Sequence, residues 1–248
     1  MAPEDVADPV GVRRRILGRN PLLGALPGED LDRLAMVARL HAVDHSTMLF
    51  RKGDPGDVLY LVVDGAVRIG TVSADGRETV LNLIGPNQIF GEVATFDGGG
   101  RIADAVTIGP AALLLMERRD VIAVFERNPQ CFMALLAACA ARARWINELL
   151  EDAQFLELPA RLAKRLLCLA DTFGKDNGDG VLIDLRLSQQ ELAHHMNVSR
   201  ESVNKLLVVW QDRGWIGRDR GLLVLRDPGA LTRLLIDGRS CRGGAGGL

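Results

Sequence analysis

No C-x-x-C pair, no stretch of 18 uninterrupted apolar residues and no strong excess of either charge occur in this 248-residue chain. Its four cysteines, Cys131, Cys139, Cys168 and Cys241, are scattered. That spacing excludes a disulfide framework, and a metal or iron–sulfur centre lacks the clustered ligands it needs. Isolated cysteines on apolar helix faces are expected to be small buried hydrophobes. The longest apolar run, Phe132 to Ala141, is too short for a membrane span and is followed by arginines. Met1 to Asp8 lacks the basic and apolar regions of a secretory signal. The expected setting is therefore cytoplasmic, with reduced thiols and no membrane partner. Also missing are G-x-x-x-x-G-K-[ST], H-E-x-x-H and G-x-S-x-G, so no common nucleotide-hydrolysing, zinc-peptidase or serine-hydrolase signature supports an enzyme, and neither catalytic nor metal residues are assigned. His194-His195 has no ligand-spaced partner and reads as a partly exposed pair on a helix.

What is present is the material for a core. Apolar residues make up 48% and charged residues 25%, and the length suggests two domains. The net charge of −2 hides an asymmetry: from Glu157 onward 14 Lys/Arg face 11 Asp/Glu, whereas the preceding residues hold 16 against 21. A mildly basic C-terminal part permits a nucleic-acid partner.

The texture changes along the chain. Val12 to Leu17 is amphipathic, Asn20-Pro21 breaks it, and Leu31, Leu34, Ala35 and Ala38 mark a second helix. From His41 to Glu117 short β-rich runs appear at 58–63, 66–69, 78–83 and 104–108. Asp64-Gly65 and Asp75-Gly76 are turn dipeptides expected to join them in an antiparallel barrel or roll. Asp120 to Leu156 reads as helix with a break at Asn128-Pro129. In it Phe132, Leu136, Cys139, Ala143, Ile146, Leu150 and Ala153 alternate by four and three, a seam of 3.5-residue period. Such a seam packs either on its own domain or on a second copy; the helix's length and its charged opposite face favour a homodimer. Leu158-Pro159 interrupts the pattern as boundary and hinge. A helix over 160–172, a Gly/Asp loop over 174–180, two helices and a hairpin follow.

Leu187 to Leu207 carries the most chemistry. Ser188 and Glu191 form a capping box, Leu192, Ala193 and Met196 an apolar face, and Asn197 tolerates the backbone of a tight turn. Ser199 caps the next helix, whose apolar face is Val203, Leu206 and Leu207. This is a helix-turn-helix. Arg200, Glu201 and Lys205 face outward from its second helix, where Arg200 suits guanine O6 and N7, Glu201 suits cytosine N4, and Lys205 suits guanine or a phosphate. Ser188, Gln190, Ser199 and Asn204 are candidates to hold phosphates and fix register. Arg218-Asp219-Arg220-Gly221, between two β runs, reads as the tip of a phosphate-contacting wing.

The run Leu187-Ser188-Gln189-Gln190-Glu191-Leu192-Ala193…Val198-Ser199-Arg200-Glu201-Ser202-Val203-Asn204-Lys205 resembles the signature of the cyclic-AMP receptor protein/fumarate-nitrate regulator family of bacterial transcription factors, with Asn197 in place of the usual glycine and Lys205 in place of arginine. The resemblance extends from about Leu22 to Leu235 and implies an α+β fold. Residues 1–128 would form a cyclic-nucleotide-binding-like antiparallel β-roll, 129–158 the dimerisation helix and hinge, 159–236 a winged helix-turn-helix, and 237–248 a disordered tail.

Phe90-Gly91-Glu92-Val93-Ala94 followed by Arg101 reads as an anion site, with Gly91 admitting a ligand closely, Glu92 accepting from ribose and Arg101 gripping phosphate. The family likeness implies a cyclic nucleotide there, cAMP or cGMP, as effector rather than cofactor. Gly53-Asp54-Pro55-Gly56-Asp57 with Leu59-Tyr60 and Gly65 is similar to the same domain's earlier hallmark. Ile102 stands where a hydroxyl joins the phosphate, and Ile146 where a threonine reads the purine; Asn147 beside it has donor and acceptor for a base. The implied partners are a pseudo-palindromic duplex, the effector, a second copy and RNA polymerase. The alternative is the same architecture responding to another effector or to none, with Glu92 and Arg101 merely bridging.

Overall fold

The computed structural model describes residues 9–73, 78–196 and 198–240. The first helices are α1 (Pro9–Arg19) and α2 (Gly28–Val37). The break between them is built by Asn20, whose buried side chain accepts from the amides of Leu22 and Leu23 and donates to the Asn87 carbonyl. Strands β1 (Arg39–Val43), β2 (Met48–Phe50), β3 (Val58–Val72), β4 (Glu78–Ile84) and β5 (Ile89–Phe90) follow, then α3 (Glu92–Asp97) and β6 (Asp104–Glu117). The sheet is antiparallel in the order β1-β6-β3-β4, with β2 on β6 and β5 on β3.

Alternation along β3 and β6 creates two cores. Leu59, Leu61, Leu114 and Met116 point to one side, against Leu17, Leu34 and Phe125. Tyr60, Val62, Leu113 and Ala105 point to the other, into the roll with Phe90. Successive side chains of a strand leave on opposite faces, so these two strands are apolar on both.

Asp64-Gly65 is not a hairpin turn, contrary to expectation. The two runs flanking it are one 15-residue strand, and the dipeptide sits where the register against β6 shifts. Gly65 has φ +79° and an added Cβ would lie 2.5 Å from the Pro110 carbonyl. The glycine serves a bulge with close backbone approach, which a turn dipeptide equally suits. Asp75-Gly76 lies outside the described residues.

Helices α4 (Arg118–Arg127) and α5 (Pro129–Phe155) follow, separated at Asn128-Pro129 as expected. Then come α6 (Leu158–Phe173), β7 (Gly174–Asp176), β8 (Val181–Ile183), α7 (Gln189–Met196), α8 (Arg200–Asp212), β9 (Ile216–Asp219), β10 (Leu222–Leu225) and α9 (Pro228–Ser240). The expected loop over 174–180 therefore contains a strand, which pairs in the sheet β7-β8-β10-β9. Backbone pairing with β8 overrides the turn-rich composition here. The last helix reaches Ser240, inside the segment expected to be disordered; residues 241–248 lie outside the described set.

The chain forms two compact units: residues 1–77 with 81–142, and 78–80 with 143–248. In the second, Leu162, Leu166, Leu192, Ala193, Val203, Leu207 and Trp210 are buried, while Met196 and Leu206, the other members of the expected apolar faces, are half-buried. Of the cysteines, Cys131 is buried as expected, but Cys139 and Cys168 are exposed. No helix among the described residues is long and apolar enough to cross a membrane.

Candidate nucleic-acid interface and effector recess

Helix α7 begins with both capping-box bonds. The Glu191 amide donates to Ser188 Oγ at 3.1 Å, and the Ser188 amide to Glu191 Oε2 at 2.7 Å. Helix α8 begins on Ser199, whose Oγ accepts from the Ser202 amide at 3.1 Å. Fixed by these caps and by buried Val203, Leu207 and Trp210, α8 turns the opposite face outward. Ser188, Gln190, Ser199, Arg200, Glu201, Asn204 and Lys205 stand on the outer side of this pair, all seven exposed. Asn197, the expected turn residue, lies outside the described set.

The outward groups pair with one another. Lys205 Nζ reaches Glu201 Oε1 at 2.8 Å, one helical turn away, and Gln189 Nε2 donates to Asn204 Oδ1 at 2.7 Å. Gln190 Nε2 contacts His194 Nε2 at 2.7 Å, and both histidines are half-buried. Arg200 has no hydrogen-bond or ion-pair partner among the described residues. An exposed pair at this spacing is worth a few tenths of a kcal/mol, so a base edge can displace it at little cost. The wing is a two-residue hairpin, Asp219 opposite Leu222, with Arg220 and Gly221 both at positive φ and Arg218 exposed beside them.

The first unit holds a different kind of site. Gly91, Glu92, Val93, Ala94, Arg101 and Ile102 line one recess. Arg101 is only 4% exposed. Its Nη1 donates to the Gly91 carbonyl at 2.9 Å and its Nη2 to the Val58 carbonyl at 2.6 Å, while its guanidinium carbon sits 4.3 Å from the Phe50 ring centre. Its Nε is buried with no partner. Burial lowers the Arg101 pKa, against the opposing pull of Tyr60, Asp57 and Glu92. The contacts of Arg101 are carbonyls and rings, and Glu92 acts on it only through space, so the two do not form the surface bridge of the alternative reading.

The glycines are explained by approach. A Cβ on Gly91, at φ +81°, would stand 2.5 Å from Arg101 Nη1, and one on Gly56 would stand 2.3 Å from the Ala94 Cβ. The earlier hallmark loop is tied to the cassette by backbone bonds: the Gly53 amide donates to the Arg101 carbonyl at 2.8 Å, the Arg101 amide to the Asp54 carbonyl at 2.9 Å.

Two further expected ligand residues belong to the other unit. Ile146 and Asn147 stand exposed on α5 within the second unit. Arg142 lines the recess, a residue for which the sequence suggested no ligand role. Its position one turn before Ile146 was the available signal. Ile102 is 61% exposed, an uncovered apolar side chain at the mouth. The recess amounts to about 40 Å³, well below the roughly 300 Å³ of an ordinary small-molecule site.

Both units have counterparts among known proteins. The profile of the cyclic nucleotide-binding domain matches residues 41–128, and that of the Crp-like helix-turn-helix domain matches 160–234. The CRP-like cAMP-activated global transcriptional regulator of Mycobacterium tuberculosis is 36% identical over 201 residues, 80% of this chain and 90% of its own. The cyclic AMP receptor protein of Thermus thermophilus is 31% identical over 215 residues, 87% of this chain and 96% of its own. Among solved structures, a CRP-family transcriptional regulator from Thermus thermophilus superposes with a TM-score of 0.66 at 26% identity, covering 79% of this chain and 96% of its own. FixK2 from Bradyrhizobium japonicum shares the fold, with a TM-score of 0.73 at 22% identity over 80% and 97% of the two chains. Two domain profiles in this order, a readable α8 and relatives matched over nine-tenths of their length lead to one assignment: the chain belongs to the cyclic-AMP receptor protein/fumarate-nitrate regulator family of DNA-binding transcription regulators, and not to a family of enzymes.

Proposed function

We propose that the protein acts as a homodimer on a pseudo-palindromic operator and that a cyclic nucleotide in the β-roll controls it. The observation that carries effector control is Arg101: a buried guanidinium whose Nε has no partner, facing a glycine turn that any side chain would fill. A charge held out of water needs a hydrogen-bonding partner, and a cyclic phosphate presents oxygens suited to the guanidinium fork. Glu92 and the Gly91 turn would meet the ribose. The recess must widen for this, through movement of α3 and of the Arg101 head group. The names of the Mycobacterium and Thermus relatives point to cAMP.

The dimer reading rests on α5. Its seam residues Phe132, Leu136, Ile146 and Leu150 are 42–61% exposed, an apolar stripe left uncovered on a 27-residue helix. Pairing two such helices buries that stripe. Two copies of α8 would then read half-sites about one helical turn, ~34 Å, apart. Arg142, on the same helix as the seam, is the residue through which a ligand in the recess meets α5. Coupling requires the ligand to bind the DNA-competent arrangement more tightly than the other.

Titration calorimetry of the wild type and Arg101→Ala with cAMP and with cGMP tests this. Heat with either nucleotide that vanishes in the variant supports the proposal. No heat with either, alongside operator binding selected from a random duplex pool, establishes the same architecture with another effector or none.

A further inference from the structure

We propose that the second unit contains a ligand site of its own, distinct from the β-roll, which takes a small ring compound bearing an oxyanion. The site is a cavity of about 350 Å³ lined by the C-terminal half of α5, by α6 and by the end of α7. That volume lies in the ordinary range of small-molecule sites and far exceeds the β-roll recess.

Its charges are unequally satisfied. Lys164 is neutralised by Asp152 at 2.6 Å, with Glu148 at 3.6 Å. Arg161 and Arg165 have no carboxylate within ion-pair distance among the described residues. Arg161 Nη2 donates to the Met196 carbonyl at 3.2 Å, and Arg165 Nη2 donates to His195 Nε2 at 3.2 Å. The Nε of each is buried without a partner. Burial pushes Arg165 down to about 10. Two half-buried guanidiniums one helical turn apart, neither within ion-pair distance of a carboxylate among the described residues, leave donors that a carboxylate or phosphate fits bidentately. Trp145 on α5 forms an apolar wall for a planar ring beside that anion.

The ligand would touch three elements at once. α5 carries the apolar seam, α6 starts at the Leu158-Pro159 hinge, and α7 is the first helix of the DNA-reading pair. Its occupancy would bias the hinge without reference to the β-roll.

The site is tested on the full chain labelled with 5-fluorotryptophan, with the Trp145 fluorine resonance identified through Trp145→Phe. Phenyl phosphate and benzoate are titrated separately, with benzyl alcohol as the neutral control. The expected result is a saturable shift of the Trp145 signal by one or both anions, with Kd of about 1 mM or tighter. Benzyl alcohol gives no shift, and the anion effect weakens at least tenfold in Arg165→Met. Unchanged Trp210 and Trp215 signals show that the variant keeps its fold. The anion that responds names the ligand class. The proposal is overturned if neither anion moves the signal. It is equally overturned by an identical shift in Arg165→Met, or by a signal that follows protein concentration alone, which assigns the cavity to a second copy. This response depends on Arg165 and cyclic-nucleotide heat depends on Arg101, so either can fail alone.

Discussion

Arg101 and Arg200 end in the same guanidinium, yet the two units treat it in opposite ways. Arg101 is withdrawn to 4% exposure, roofed by Phe50 and bonded to two backbone carbonyls. Arg200 stands in solvent on the first turn of α8 with no partner among the described residues. Any ligand of a buried arginine tethered by carbonyls must compete with bonds already made. An exposed one is available to a surface as large as duplex DNA and gains from contact with little to break. The first unit thus holds its arginine inward on its own backbone, and the reading unit presents its arginine to solvent, where duplex DNA can meet it.

The largest effect should come from Arg101→Ala. Removing two charge-assisted contacts to a phosphate costs roughly 3 kcal/mol or more, a hundredfold or greater loss of nucleotide affinity by calorimetry. Non-specific, salt-dependent DNA binding should stay unchanged. Arg101→Lys should recover little, because an ammonium keeps the charge but loses the fork. Equal loss of non-specific DNA binding would break the division of labour between the units. The reciprocal variant is Arg200→Ala, expected to lower operator affinity by about 10- to 100-fold in a mobility shift, with discrimination relaxed at one base pair. Its nucleotide heat should match the wild type.

Legibility in the sequence follows the same contrast. The caps and much of the buried face of α7 and α8 come from residues within one window: Ser188 with Glu191, Ser199 with Ser202, Val203 with Leu207. Caps and helical periodicity are local, and an outward face is the complement of a buried one, so the exposed polar face of α8 could be placed without tertiary knowledge. The recess is assembled from distant segments. Phe50 and Val58 meet Arg101 across about fifty residues, and Arg142 arrives from another element. Gly91, Glu92 and Arg101 stood out through the family likeness, but that Arg101 would be buried was not legible. Asp64-Gly65 failed for a related reason: a dipeptide shows that the backbone must leave its ordinary region, not whether it turns or bulges. Strand β7 was hidden in a Gly/Asp stretch because its partner β8 supplies the pairing.

Ile102→Ser sharpens the effector side. Ile102 is largely exposed at the mouth of the recess, so replacing it removes little buried apolar surface. A hydroxyl there would add one hydrogen bond to an anionic oxygen, roughly 1.5 kcal/mol, and should tighten cyclic-nucleotide binding about tenfold. Unchanged affinity would mean that the phosphate does not approach residue 102.

The smallest expected effect lies in the reading unit and concerns stability alone. Ser188→Ala removes the oxygen that accepts the Glu191 amide, while Glu191 still accepts from the amide of residue 188. Half of the capping box survives, so the cost should be roughly 1 kcal/mol, a fall of a few degrees in Tm by calorimetry. Because Arg200 is held by α8 and its own cap at Ser199, the folded variant should read the same operator sequence. A change of sequence preference in Ser188→Ala would show that the entry of α7 positions the reading face as well as the fold, and the caps would then belong to recognition.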